Sequence, residues 1–406
     1  MSGGAAAPAA VPAAAFPRGP ALRAGLAVAL AAGLAAGAWH LSGEVGGSRL
    51  ALSLVFGALF GFVLQRSRFC FLCLWRDFLD HGDVRGVLGL LAALAAGLAG
   101  TTVLFGAWLP DPSGSRLPPG AHIGPVGPVL ALAGLAFGAG MAVSGSCISA
   151  HLYRLGEGSP TAPFALVGTA LGFGLGFATW NPLYLASVSE APVAWLPRHL
   201  GYAGNLVLGL AILAGLALWL LRRWPPPPAR AAAVPDPLHA VFVARWPAWL
   251  GGIAVGAIAT LATLRLSPLG VTAEIGGRSR HAAAALGLLP ERLEGLDGFR
   301  GCATALRDGL LTPNGLFVGG LVAASFAAAL AAGQFRPVRP RRGHVLRGLA
   351  GGVLLGWGAM TGLGCSIGTL LSGITAGAVS GWVFGVAMLA GATVALRLGR
   401  RVGWLA

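Results

Sequence analysis

The sequence predicts an all-α polytopic membrane protein of about ten hydrophobic segments, some short or re-entrant, in two inverted pseudo-repeats. Three observations predict it. Of 406 residues, 56% are hydrophobic and 10% charged, with a mean hydropathy of +0.76. A soluble composition carries about a quarter charged residues, and 13 acidic side chains cannot cover a soluble surface of this size. Uncharged runs long enough to cross a bilayer recur along the chain. Two glycine-rich stretches match each other, and each ends in a cysteine. A collagen-like chain is excluded because the 66 glycines follow no Gly-X-Y period. A small disulfide scaffold is excluded by length and by only five cysteines. The net charge of +15 comes from 28 arginines and no lysine. Apolar runs between them favour membrane topology over nucleic acid.

Residues 1–21 are Ala/Pro/Gly-rich without periodicity and read as a disordered tail. A cleaved signal peptide is the lesser alternative, because its first charges, Arg18 and Arg23, come late. The first membrane half, 22–221, contains the runs 24–48, 50–65, 86–110, 123–150, 161–189 and 199–221. Residues 222–245 read as a linker, since four consecutive prolines cannot continue a helix. The second half, 246–406, contains 246–264, 309–335 and 348–396, the last long enough for two crossings with a turn near 372–376 or 380–381.

Arginine placement predicts orientation. Arg222, Arg223 and Arg230 mark one side. Arg336, Arg339, Arg341, Arg342 and Arg347 return to it two crossings later, and Arg397, Arg400 and Arg401 after two more. No acidic residue follows Asp308. These clusters are read as cytoplasmic, with 66–85 on the same side, loop 110–122 outside, and both termini inside.

Gly134-x3-Gly138-x-Gly140 before Cys147 aligns with Gly352-x3-Gly356-x-Gly358 before Cys365 at an offset of 218. A weaker match joins Cys70 and Arg76-Asp77 to Cys302 and Arg307-Asp308. The topology count puts the first of these elements inside and the second outside, so the halves are expected to be inverted, an arrangement that places a transport pathway at the repeat interface. Small-xxx-small helix packing is the plain alternative.

All five cysteines, Cys70, Cys73, Cys147, Cys302 and Cys365, lie in or beside these elements. Gly145-Ser146-Cys147 and Gly364-Cys365-Ser366 place glycine where backbone approaches closely or a helix breaks. A helix N-terminus at such a break offers unpaired N–H groups to an anion. A thiol beside it adds an S–H donor and a polarisable acceptor, which suits an anion carrying its own sulfur. A small buried hydrophobe is the alternative for each cysteine. Cys70 sits in a basic context, Gln65-Arg66-Ser67-Arg68-Phe69-Cys70. Cys73 completes a Cys-x-x-Cys, read as incidental because no thioredoxin-like context surrounds it. Arg76-Asp77 and Arg307-Asp308 are candidates for pathway mouths or helix ends. Arg66 and Arg68 supply a basic context that lowers the Cys70 thiol pKa, and Arg300 and Cys302 are further candidate supports. Arg154 and Glu157 are candidate anchors of a loop behind Cys147. His122, His239 and His344 read as exposed loop residues. No zinc ligand set, nucleotide-binding motif or cofactor motif is present.

At this point the chain resembles the YeeE/YedE thiosulfate transporter family. Gly57-Ala-Leu-Phe-Gly-Phe-Val-Leu-Gln-Arg-Ser-Arg-Phe-Cys with Arg76-Asp77 resembles its first signature. Gly138-x-Gly140…Gly145-x-Cys147 followed by Tyr153-Arg-Leu-Gly-Glu-Gly resembles the second, and Gly352-x3-Gly356…Gly364-Cys365-Ser-Ile-Gly the third. The resemblance spans roughly 50–400. It implies an hourglass-like channel in the bacterial inner membrane that takes up thiosulfate, with Cys70, Cys147 and Cys365 passing the anion along by S–H···S contacts. A cytoplasmic TusA-like sulfur-carrier protein is the implied partner. The chain departs from the family in Ser146, Cys73 and Cys302. A related sulfur or selenium species therefore stays open as cargo, and a membrane thiol-redox protein using Cys70 and Cys73 is the competing class.

Overall fold

The computed structural model describes residues 19–225, 236–299, 301 and 311–404. The first half comprises α1 (Pro20–Gly43), α2 (Ser48–Ser67), α3 (Phe71–His81), α4 (Arg85–Trp108), α5 (Pro128–Ser144), α6 (Ile148–Gly156), α7 (Ala162–Ala178), α8 (Trp180–Leu183), continued by a π-turn Tyr184–Val188, and α9 (Pro197–Arg223). The second comprises α10 (Pro237–Phe242), α11 (Ala248–Arg265), α12 (Ala273–Ala285), α13 (Pro313–Ala331), α14 (Arg342–Thr361), a π-helical turn Ser366–Leu371 leading into α15 (Ser372–Thr375), and α16 (Val379–Arg401). Proline opens α1, α5, α9 and α13, where its missing N–H costs nothing.

Among the described residues nine helical units are long and apolar enough to cross a membrane, and the bent pair Ala162–Ala178 with Trp180–Val188 makes a tenth. This is a multi-pass membrane protein. Three units are broken: Ser48–His81, Pro128–Gly156 and Arg342–Thr375. Some boundaries differ from the sequence reading. Pro20 and Ala21 belong to α1, and the rest of the proposed tail, 1–18, lies outside the described residues. Arg222 and Arg223 finish α9, and 237–242 form a short helix inside the expected linker, whose residues 226–235 also lie outside. The turn in 348–396 falls at Ala376–Ala378, where Gly377 adopts φ +80°, because Ser372–Thr375 stays helical. Residues 265–308, unassigned by hydropathy, contain α12, which packs on α7 and α13.

Cross-links at the two ends fix chain direction. At one end Arg400 pairs both nitrogens with the Asp80 carboxylate at 2.7 Å, the Arg336 amide donates to the Glu157 carbonyl, and the Trp246 amide donates to the Arg66 carbonyl. At the other end Leu196 and Val379 bond across to Gly377 and Ala194, and Trp180 donates to the Glu294 carbonyl at 2.8 Å. The arginine clusters at 222–223, 336–347 and 397–401 gather at the first end. α5 therefore runs toward that end and α14 away from it; α2 and α11 are opposed in the same way.

Glycine seams join the helices. In α2, an added Cβ at Gly57 or Gly61 would strike the Phe317 or Leu321 carbonyl of α13; in α11, Gly252 and Gly256 meet Gly89 and Ala93 of α4. In α5, Gly134 and Gly138 meet the carbonyls of Phe384 and Met388 of α16; in α14, Gly352 and Gly356 meet those of Ala165 and Thr169 of α7. The sequence offset that relates the two glycine runs thus reappears as matching partner helices. Lipid offers no hydrophobic gain for helix association, so this backbone-to-backbone fit supplies the packing energy.

Candidate functional site

Each of the three broken units breaks at a cysteine, with the same local geometry. Cys70, Cys147 and Cys365 are the N-cap residues of α3, α6 and the Ser366–Leu371 turn. Two residues before each lies a left-handed backbone position: Arg68 at φ +50°, Gly145 at φ +88° and Leu363 at φ +60°. Arg68 and Leu363 are the two non-glycine residues with positive φ among the described residues. A bulky side chain there carries strain that surrounding structure must impose, and such strain collects at functional sites. At two of the three breaks first-turn amides face the sulfur: that of Ala150 at Cys147, and those of Ile367 and Gly368 at Cys365.

The three thiols are fully buried and unbridged. The Cys147 and Cys70 sulfurs lie 3.9 Å apart, and the Ser149 hydroxyl lies 3.3 Å from Cys147. Around Cys365 the Thr272 hydroxyl faces the thiol, and the buried hydroxyls of Thr361 and Ser366 have no hydrogen-bond partner. A small, mainly apolar pocket at the end opposite the arginine clusters lies beside this loop, bordered by His122, Trp180, Thr361, Leu363, Thr369 and Ser380. Gly364 is required here, because a Cβ would sit 2.6 Å from the Thr369 hydroxyl. Gly145 faces open space, and Ser146 turns its hydroxyl onto the Gly145 carbonyl at 2.7 Å.

The supporting residues separate. Arg66 lies in a buried polar network. It is fully buried, with its donors committed to Gln65, Gln334 and the carbonyls of Phe242 and Val243. Glu157 accepts from Gln65 at 3.1 Å and caps the end of α6. Arg66→Ala is expected to lower the thermal midpoint in detergent markedly, since each orphaned buried acceptor costs about 1–3 kcal/mol. Uptake per folded molecule should persist; loss of uptake at full stability would return Arg66 to the pathway. Arg76 is half-buried on α3. Arg154 donates to Cys73 at 3.2 Å, so Cys73, read as incidental from spacing, belongs to the thiol cluster. Arg300, Cys302 and Arg307 lie outside the described residues.

His122 is not an exposed loop residue. It is half-buried with Nδ1 2.8 Å from the Gly368 carbonyl. A carbonyl only accepts, so Nδ1 carries the hydrogen and ties the outer loop to the segment presenting Cys365. Burial pushes the His122 pKa down, against a smaller upward pull from Gly368. A lowered folded pKa contributes stability above the unfolded value, about 6.5, and loses it as pH falls below that. The thermal midpoint should therefore drop more between pH 7 and 5 in wild type than in His122→Gln. Parallel curves would refute the tie. His344 Nδ1 accepts from the Arg341 amide at 3.2 Å at the start of α14.

Comparison with known proteins places these features in context. A family model described as sulphur transport matches residues 66–394. The thiosulfate transporter TsuA of Escherichia coli (strain K12) is 27% identical over 368 residues, covering 85% of this chain and 93% of the relative. TsuA of Spirochaeta thermophila is 29% identical over 364 residues, covering 83% and 95%. The probable transporter YedE of E. coli is 25% identical over 186 residues, covering 46% of this chain and 44% of its own.

Proposed function

Because the chain belongs to the sulphur transport family, that of YeeE and YedE, we propose that it carries thiosulfate inward through a pathway lined by Cys365, Cys147 and Cys70. The repeated strained break that sets each of these thiols at a helix N-terminus is the observation that carries the reading. Thiosulfate has two chemical ends. Its oxygens suit first-turn amides and the unpartnered hydroxyls of Thr361 and Ser366. Its terminal sulfur suits S–H donors. The thiols act protonated and unpaired, since a thiolate repels a dianion and a disulfide has no S–H. Several weak stations in series allow exit as well as entry.

The positive-inside rule supports reading the arginine-rich end as cytoplasmic and the opposite pocket as external, in a bacterial inner membrane. The opposed courses of α2 and α11, and of α5 and α14, support two inverted pseudo-repeats with the thiols between them. The chain acts by translocation rather than covalent turnover, and a TusA-like carrier is the fitting recipient on the arginine-rich face. The test is thiosulfate uptake into vesicles containing only the purified chain. Accumulation above protein-free vesicles supports the reading, and uptake equal to them overturns it.

A further inference from the structure

Cys73 and Arg154 stand inward of the thiols used above. α3 and α6 both run toward the arginine-rich end. Cys73 therefore lies about 4.5 Å along the helix beyond Cys70, and Arg154 about 10 Å beyond Cys147. Cys73 touches Cys70, lies 4.0 Å from the Gly145 carbonyl, and receives the Arg154 guanidinium at 3.2 Å. Buried sulfurs thus continue from Cys147 through Cys70 to Cys73 and end on a cation.

No carboxylate pairs with Arg154 among the described residues. The acid one turn away, Glu157, takes the Gln65 amide instead. A guanidinium at membrane depth calls for a partner, and its fork of donors matches an oxyanion. We infer that Arg154 and Cys73 form the inner anion station of the pathway. Arg154 takes the oxyanion end of a tetrahedral sulfur oxyanion, while Cys73 and Cys70 hold its terminal sulfur. The identity of the cargo rests on the proposed function; the presence of an anion site does not.

The test compares wild type with Arg154→Gln, Arg154→Lys and Cys73→Ala in two assays: vesicle uptake of thiosulfate, and stabilisation of the detergent-solubilised chain by thiosulfate and by sulfate. Arg154→Gln is expected to lower uptake about 10- to 100-fold, the loss of one charged hydrogen bond, and to remove stabilisation by both anions. Arg154→Lys should keep part of each. Cys73→Ala should weaken thiosulfate about tenfold and leave sulfate unchanged, because only thiosulfate has a terminal sulfur. A residue that merely packs would not split the two anions.

Wild-type behaviour of folded Arg154→Gln in both assays overturns the station. If Arg154→Gln does not fold, unchanged thiosulfate and sulfate responses in both Arg154→Lys and Cys73→Ala overturn it. Uptake that requires a Cys70–Cys73 disulfide overturns it in favour of a redox pair. If wild type takes up no thiosulfate yet is stabilised by either anion through Arg154, the cargo reading fails and the station stands. If neither anion stabilises wild type, the station falls.

Discussion

Cys147→Ala is expected to cut thiosulfate uptake into vesicles by about 100-fold, the upper range for a lost hydrogen bond to a charged group. In the proposed pathway Cys147 is the middle thiol, with Cys70 at 3.9 Å and the Ser149 hydroxyl at 3.3 Å. Alanine keeps the backbone break and removes only the sulfur, leaving a small cavity worth about 1 kcal/mol. The variant should therefore remain folded in the membrane. Cys147→Ser keeps a donor but offers the terminal sulfur a harder, less polarisable partner, so its uptake should lie between the two. Wild-type rates in Cys147→Ala would show that the anion bypasses this thiol.

The second large effect is structural. Gly356→Ala is expected to leave little folded protein, because its methyl group would lie against the Thr169 carbonyl and 2.7 Å from the Phe173 amide. Both obstacles are backbone, so a rotamer change cannot relieve them. α7 and α14 would have to separate along the seam, and overpacking of this kind costs about 1–3 kcal/mol or more. Gly174, on α7, is the control, since an added Cβ there meets nothing within 4 Å. Gly174→Ala should be neutral or stabilising, as alanine is favoured by about 0.8–1.0 kcal/mol in a helix interior. Equal behaviour of the two variants in a size-exclusion and melting assay would refute the seam.

Hydropathy made the spans legible because a helix in lipid must be apolar along its whole length. The cysteine positions were legible because glycine marks two of the three breaks. The remaining features lacked a signal of that kind. Arg68 and Leu363 adopt left-handed geometry that no arginine or leucine announces. α12 is polar, with Glu274, Arg278 and Arg280, so a hydropathy window passes over it. Cys73 looked incidental because its partner, Arg154, is distant in sequence and meets it only when α3 and α6 pack together. In the sequence Arg66 is visible only as basic context for Cys70. Its real partners are Gln334 and the carbonyls of Phe242 and Val243, which no local pattern shows.

The glycine seams of α2 with α13, α11 with α4, α5 with α16 and α14 with α7 all cross between the halves, and a further one joins the two matching glycine runs directly. An added Cβ at Gly140 of α5 would sit 2.7 Å from the Gly351 carbonyl of α14, and one at Gly351 would sit 2.5 Å from the Ser144 amide. A rocking mechanism requires one half to roll over the other along such a face. Here main chain meets main chain at Gly140 and Gly351, and the Arg347 guanidinium of α14 donates to the Val143 carbonyl of α5 at 3.4 Å, so the face is keyed rather than smooth. In the proposed pathway such a frame leaves passage of the anion to small local displacements of the three broken helices. Mechanically the molecule is a fixed conduit with yielding rungs rather than a pair of swinging doors.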